Sequence, residues 1–180
     1  MRLFVGIPLA AEVAAELSNV VQRLRRKDDG LRWTAPESWH ITLQFLGEAT
    51  PEQYACLAAR LAELSASPVP VRLGNPDFFL RSGVFVVGVE TTPQLLALER
   101  LVIAVTRPCG FEAESRPYHP HITLARAKGG RHSLPELKSR IQRQPSFSGF
   151  TAHAFHLYES FLKPGGARYE VRKSFPLAGA

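Results

Sequence analysis

The stretch Arg116-Pro-Tyr-His-Pro-His-Ile-Thr-Leu-Ala-Arg126 decides the fold. Its inner four residues, His121-Ile122-Thr123-Leu124, occur a second time, unchanged, as His40-Ile41-Thr42-Leu43. A strand turns residues i and i+2 to one face. Each copy therefore shows His and Thr on one side, Ile and Leu on the other. The apolar side belongs in a core, and the polar side sets an imidazole beside a hydroxyl. Strand parity puts Arg126 on the face away from His121 and Thr123, unless the strand ends or bulges near Ala125.

Outward from this motif the chain repeats itself. His121 follows His40 by 81 positions, and the same step carries Phe4-Val5 onto Phe85-Val86. Leu3–Ile7 is apolar throughout and reads as a central strand covered on both faces. Val84–Glu90 is its counterpart. Val13, Leu17, Val20, Val21 and Leu24 fall at helical spacing, as do Leu95, Leu98, Val102 and Val105 after Thr92-Pro93. Thr50-Pro51-Glu52-Gln53 and Ser133-Leu134-Pro135-Glu136 read as capping boxes. Pro68–Leu73 and Phe78–Leu80 read as extended pieces interrupted by Gly74-Asn75-Pro76. Gly149–Leu162 and Ala167–Phe175 read as two strands joined by a turn at Lys163–Gly166. Each half thus runs strand, helix, His-Thr strand, helix, strands. The expectation is a single domain over residues 1–180 with an approximate internal repeat, 1–80 and 84–175. A pseudo-two-fold axis would set the two His-Thr pairs opposite one another, and neither half would be active alone.

A chain of 180 residues can bury one good core or two small lobes sharing one. The formal net charge of +6 favours polyanionic partners without setting a sequence preference. Cys56 and Cys109 form no C-x-x-C pair or spaced framework, so the expectation is reduced thiols in a cytoplasmic protein, with Cys56 a small core residue. No apolar run approaches a membrane span. Leu3–Ala11 superficially imitates a signal peptide, but Pro8 and Glu12 argue for a first strand instead.

Two opposed His-Thr pairs can perform in-line displacement at phosphorus. One neutral imidazole removes a proton from water while an imidazolium opposite protonates the departing oxygen. The Thr hydroxyls can donate to non-bridging oxygens, and Arg126 can stabilise the charge that builds up. Several rival readings compete with this one. A lone His-x-Thr strand is ordinarily structural, but two copies at equivalent places argue for use. His119-x-His121 can chelate a metal from a strand, yet no acidic third ligand lies near either motif, so no metal or cofactor is expected. His119 reads as a flanking residue, and His132, His153 and His156 as surface or packing residues. There is no G-x-S-x-G, no P-loop and no G-x-G-x-x-G.

At these residues the chain resembles the two-histidine (2H) phosphoesterase superfamily. Within it, the chain is similar to the RNA 2',3'-cyclic phosphodiesterases, also called 2'-5' RNA ligases. The resemblance rests on His40–Gly47, Arg116–Arg126, the opening strand Arg2–Pro8 and the ending Ser160…Pro164-Gly165…Tyr169…Phe175-Pro176-Leu177. It implies a bilobal α+β fold, with two antiparallel sheets lining a central cleft and helices outside. It implies metal-independent opening of an RNA 2',3'-cyclic phosphate to a 2'-phosphomonoester, reversible as ATP-independent 2'-5' ligation. His40 would be the proton donor, His121 the proton acceptor, and Thr42 and Thr123 would hold the phosphoryl oxygens with Arg126 beside them. Phe45, Tyr118 and Phe78 are the candidates for stacking on a base. The expected partners are RNA ends or nucleotides carrying a 2',3'-cyclic phosphate, with no obligate protein partner and a monomeric state. The alternatives are a sibling enzyme for small cyclic nucleotides, ADP-ribose cyclic phosphate or 2'-5' oligoadenylates, and a protein that grips RNA ends without cutting them.

Overall fold

The apolar run after Met1 becomes β1 (Arg2–Pro8), with every residue from Leu3 to Gly6 and Ile7 buried. The computed structural model describes residues 1–128, 133–163 and 166–179. After β1 come α1 (Ala11–Leu24), β2 (Leu31–Trp33), β3 (His40–Glu48), α2 (Pro51–Ala62), β4 (Val69–Val71) and β5 (Leu73–Phe79). Then follow β6 (Val84–Val89), α3 (Pro93–Thr106), β7 (His121–Ala127), α4 (Ser133–Ser139), β8 (Phe150–Ala152), β9 (Ala154–Lys163) and β10 (Gly166–Pro176). The α+β class and the antiparallel sheets agree with the expectation.

The sheets run β10-β9-β1-β3 and β2-β7-β6-β5, with β4-β8 a short third pair. β5 belongs to the first half of the sequence but pairs with β6 of the second; β9 belongs to the second half but pairs with β1 of the first. Each sheet is therefore built from both halves. β3 and β7, which carry the two motifs, pack against one another where the sheets meet.

The helices form as their patterns require. Val13, Leu17, Val21 and Leu24 bury one stripe of α1, and Leu95, Leu98, Val102 and Thr106 one stripe of α3. Thr50 accepts from the Gln53 amide while Gln53 returns a bond to Thr50, closing the expected capping box on α2. Thr92 caps α3 through the Leu95 amide. At Ser133 the side chain and the residue before it lie outside the described residues, as do His132 and the middle of the Lys163–Gly166 turn.

Three expectations are corrected. Gly74-Asn75-Pro76 does not interrupt the chain but lies inside β5, as a register shift between Leu73 and Pro76. β5 is an edge strand, where a proline costs no ladder bond. Gly149–Leu162 is not one strand: it breaks at the exposed His153 into β8 and β9. Cys56 and Cys109 are not reduced thiols but form a disulfide. The α2–α3 packing brings them together, and Gln53 reinforces the junction by donating to the Cys109 carbonyl. Cysteine usage therefore no longer argues for a reducing compartment. No helix among the described residues is long and apolar enough to cross a membrane.

The disulfide spans 53 positions of sequence. Removing a link across a loop of that size returns entropy to the unfolded chain worth up to about 4 kcal/mol. Reduction, or the paired change Cys56→Ala with Cys109→Ala, is expected to lower the unfolding free energy by about 2–4 kcal/mol. Guanidinium melts with and without reductant measure it, and identical midpoints would contradict the assignment.

Candidate active site

Both motif histidines are held in the same way. His40 Nδ1 lies 2.8 Å from the Ser38 carbonyl, and His121 Nδ1 lies 2.7 Å from the His119 carbonyl. A carbonyl can only accept, so Nδ1 carries the hydrogen in each ring. Nε2, on the far side of the ring, is then the nitrogen that takes or gives a proton. The backbone two residues before each histidine sets the tautomer in both copies.

The surroundings of the rings differ. His40 sits among Phe4, Tyr158 and Tyr169, at centroid distances of 4.5, 5.7 and 5.0 Å. Burial pushes its pKa down to about 4; the Ser38 carbonyl opposes this, and the charge of His121 adds to it. That influence marks the two imidazoles as electrostatic neighbours. His121 rests edge-on against Phe79 at 4.9 Å. Its pKa also lies below the ordinary value, chiefly through burial. The His119 carbonyl raises it, and the charges of Arg126 and His119 lower it. Thr42 and Thr123 share the half-buried face of their histidines, and neither hydroxyl has a protein partner among the described residues.

The parity of Arg126 is resolved by a bulge. Val86 pairs with Thr123 and Phe85 with Ala125, leaving Leu124 as an extra residue in β7. Two consecutive residues, Leu124 and Ala125, are buried, and Arg126 returns to the face of His121 and Thr123. β3 does the same: Gly6 pairs with Thr42 and Val5 with Gln44, so Leu43 is extra and Phe45 returns to the face of His40 and Thr42. Equivalent bulges thus return an arginine to the His121 face of β7 and an aromatic ring to the His40 face of β3. Phe45 is 55% exposed.

Two of the candidate aromatics have other partners. Tyr118 packs against the core and donates its hydroxyl to the Thr42 carbonyl at 2.9 Å, joining the segment before β7 to β3. Phe78 faces the core and stacks on Phe85 at 5.0 Å, while its neighbour Phe79 reaches His121. His156 packs edge-on to Tyr158, and His119 and His153 are exposed. No three His, Cys, Asp or Glu side chains among the described residues converge on a point that could hold a metal.

Sequence reasoning missed Phe4, Tyr158, Tyr169 and Phe79, which surround the imidazoles, and Gln44. Thr106 donates to Gln44 Oε1 at 2.7 Å, and Gln44 Nε2 donates to the Glu112 carbonyl, fixing β3 to α3 and the following loop. Gly6 was also missed. A Cβ there would lie 2.9 Å from the Ile41 carbonyl oxygen and 3.4 Å from His40 Cδ2. The oxygen belongs to the paired backbone and cannot yield. Gly6→Ala is therefore expected to destabilise the protein by about 1–3 kcal/mol and to displace the His40 ring. Thermal melts and turnover measured together check this, and a variant matching the parent in both would refute it.

A family model described as the 2'-5' RNA ligase superfamily matches residues 12–160. An RNA 2',3'-cyclic phosphodiesterase of Thermus thermophilus is 33% identical over 99% of this chain and 91% of that protein. A protein of the same name from Geobacillus stearothermophilus is 30% identical over 98% of this chain, which spans 57% of its length. The crystal structure of Escherichia coli LigT complexed with 3'-AMP superposes with a TM-score of 0.82 at 27% identity, covering 98% of this chain and 97% of that one.

Proposed function

This chain belongs to the 2'-5' RNA ligase superfamily, and from that premise we propose that it opens RNA 2',3'-cyclic phosphate ends to 2'-phosphomonoesters by metal-independent two-histidine catalysis. The observation that carries the reading is the matched pair of imidazoles on β3 and β7, each with Nδ1 tethered to the carbonyl two residues before it. The names of the Thermus and Geobacillus relatives support the same substrate chemistry.

In this reading His121 Nε2 takes a proton from water and the oxygen attacks phosphorus. The bond from phosphorus to the 3'-oxygen breaks, and His40 Nε2 gives that oxygen its proton. The phosphate stays on the 2'-oxygen. Protons exchanged with solvent then reset the two rings. Thr42 and Thr123 donate to the non-bridging oxygens, and Arg126 balances the added charge. Phe45 offers a ring to the terminal base, and Tyr118 holds Thr42 in place. An empty groove keeps His40 neutral near pH 7, because burial holds its pKa near 4. The anionic cyclic phosphate supplies the counter-charge that stabilises the imidazolium, so binding arms the acid. With the 5'-hydroxyl of a second strand in place of water, His121 would take that hydroxyl's proton as its oxygen attacks phosphorus, the bond to the 3'-oxygen would break and His40 would protonate it, leaving a 2'-5' phosphodiester without ATP. One chain supplies both histidines, so the reading needs no second subunit and no cofactor.

The test is product mapping on an oligonucleotide ending in a 2',3'-cyclic phosphate. A 2'-phosphomonoester, formed in the presence of chelator, is the expected product. A 3'-phosphomonoester would reverse the leaving group, and an intact end after single-turnover incubation would leave only binding.

A further inference from the structure

Arg32 is the residue of β2 that turns from the core to the groove. Leu31 is buried, and Trp33 packs edge-on to the core residue Phe85 at 6.0 Å. In the register Arg32 lies directly opposite Arg126, which lies opposite Val84. The three form one row across β2, β7 and β6, on the face that carries His121 and Thr123. Like charges directly opposite on neighbouring strands destabilise a sheet. Both arginines are exposed, and neither has a carboxylate within ion-pair distance among the described residues. The acidic residue nearest in sequence, Asp29, is already committed. It accepts from the Leu31 amide and Trp33 Nε1 and pairs with Arg140, which also fixes β2 in place. A Cβ built on Gly166 would sit 3.4 Å from Arg32 Cδ, so the stem of Arg32 lies against the start of β10, on the opposite sheet. This face therefore carries two guanidinium groups about one strand spacing of 4.8 Å apart at the backbone, with no carboxylate among the described residues paired to either.

We propose that Arg32 binds the internucleotide phosphate immediately upstream of the cyclic end, which makes the preferred substrate an RNA strand rather than a cyclic mononucleotide. The proposal rests on the cyclic phosphodiesterase reading and names its substrate class. Arg126 stands beside His121 and takes the reacting phosphate. Arg32 stands one strand further out and takes the next. A planar guanidinium can hold two oxygens of a phosphodiester at once. A cyclic mononucleotide has no second phosphate and leaves Arg32 unoccupied.

The test compares a cyclic-ended trinucleotide with 2',3'-cyclic AMP over a range of salt. The proteins are the parent, Arg32→Ala, Arg32→Lys and Arg60→Ala, an exposed α2 position where the same charge is lost far from the groove. Arg32→Ala is expected to lower kcat/KM for the trinucleotide about tenfold relative to that for the mononucleotide, and to reduce the salt slope by about 0.7. Arg32→Lys should recover part of the loss, and Arg60→Ala should follow the parent. Equal losses on both substrates, or none on either, would overturn the assignment. A parent protein that opens neither substrate would instead refute the cyclic phosphodiesterase reading on which it rests.

Discussion

Replacing His40 or His121 with alanine is expected to reduce turnover of a cyclic-ended oligonucleotide by about 10²–10⁴-fold in either variant. Each ring has one tethered nitrogen and one nitrogen left for proton transfer, and among the described residues no other imidazole stands in its place. His156 is turned against Tyr158, and His119 is exposed. The two losses should not add. Once either the acid or the base is gone the concerted transfer is lost, so the double variant should fall little below the worse single one. His40→Ala also leaves a void beside Phe4 and Tyr169. His40→Asn, which keeps part of the volume and a polar edge, separates loss of chemistry from loss of packing. Single-turnover rates with matched thermal melts are the measurement. A folded variant of either histidine that turns over at the parent rate would remove it from the mechanism.

The elements that could be read from sequence are those whose signal is local. Leu3–Ile7 could be read because burial on both faces leaves no alternation. The helix starts at Thr50 and Thr92 could be read because a cap and a following proline are adjacent in the chain. The twin His-Thr strands were legible because a repeated tetrapeptide needs no partner to be noticed. What the sequence left open depended on a neighbouring strand. The side on which Arg126 emerges is set by the extra residue Leu124 against β6, and nothing within the motif announces that slip. Phe78 and Phe79 are adjacent aromatics, and only the pairing of β5 with β6 decides which reaches His121. The same limit hid the disulfide, since two cysteines 53 positions apart carry no pairing signal until α2 meets the end of α3. The bond from Tyr118 to the Thr42 carbonyl was hidden in the same way, since it crosses 76 positions. Strand exchange between the halves completes both sheets: neither β1 nor β6 has its full set of neighbours until the other half is present.

The depressed imidazoles should also make both activity and stability depend on pH below neutrality. In the proposed mechanism one ring is protonated and the other neutral, so kcat/KM should trace a bell bounded by two apparent pKa values of the pair. Both rings lie below 6.5, His40 near 4. The kcat/KM maximum is therefore expected on the acid side of pH 6.5, with about a tenfold fall per unit beyond the upper limb. The kcat limb should lie higher, because the bound phosphate anion favours the imidazolium. A kcat/KM profile level from pH 6 to 8 would contradict this. Stability should move in the same window. Unfolded histidine takes up its proton near pH 6.5, whereas the buried His40 ring refuses it until about pH 4. Between those values the unfolded chain binds more protons, so stability is lost as pH falls from 6.5 and the loss levels off below 4. For His40 the full loss is at most about 3 kcal/mol, and less to the extent that the ring's open edge meets water in the groove. Denaturant melts from pH 7.5 to 4 measure it. In His40→Asn this part of the slope should vanish while the contributions of His121 and His156, which burial also depresses, persist. A parent and a variant with parallel stability profiles would show that His40 titrates in the folded protein as it does in water, and that the aromatic enclosure does not set its proton affinity.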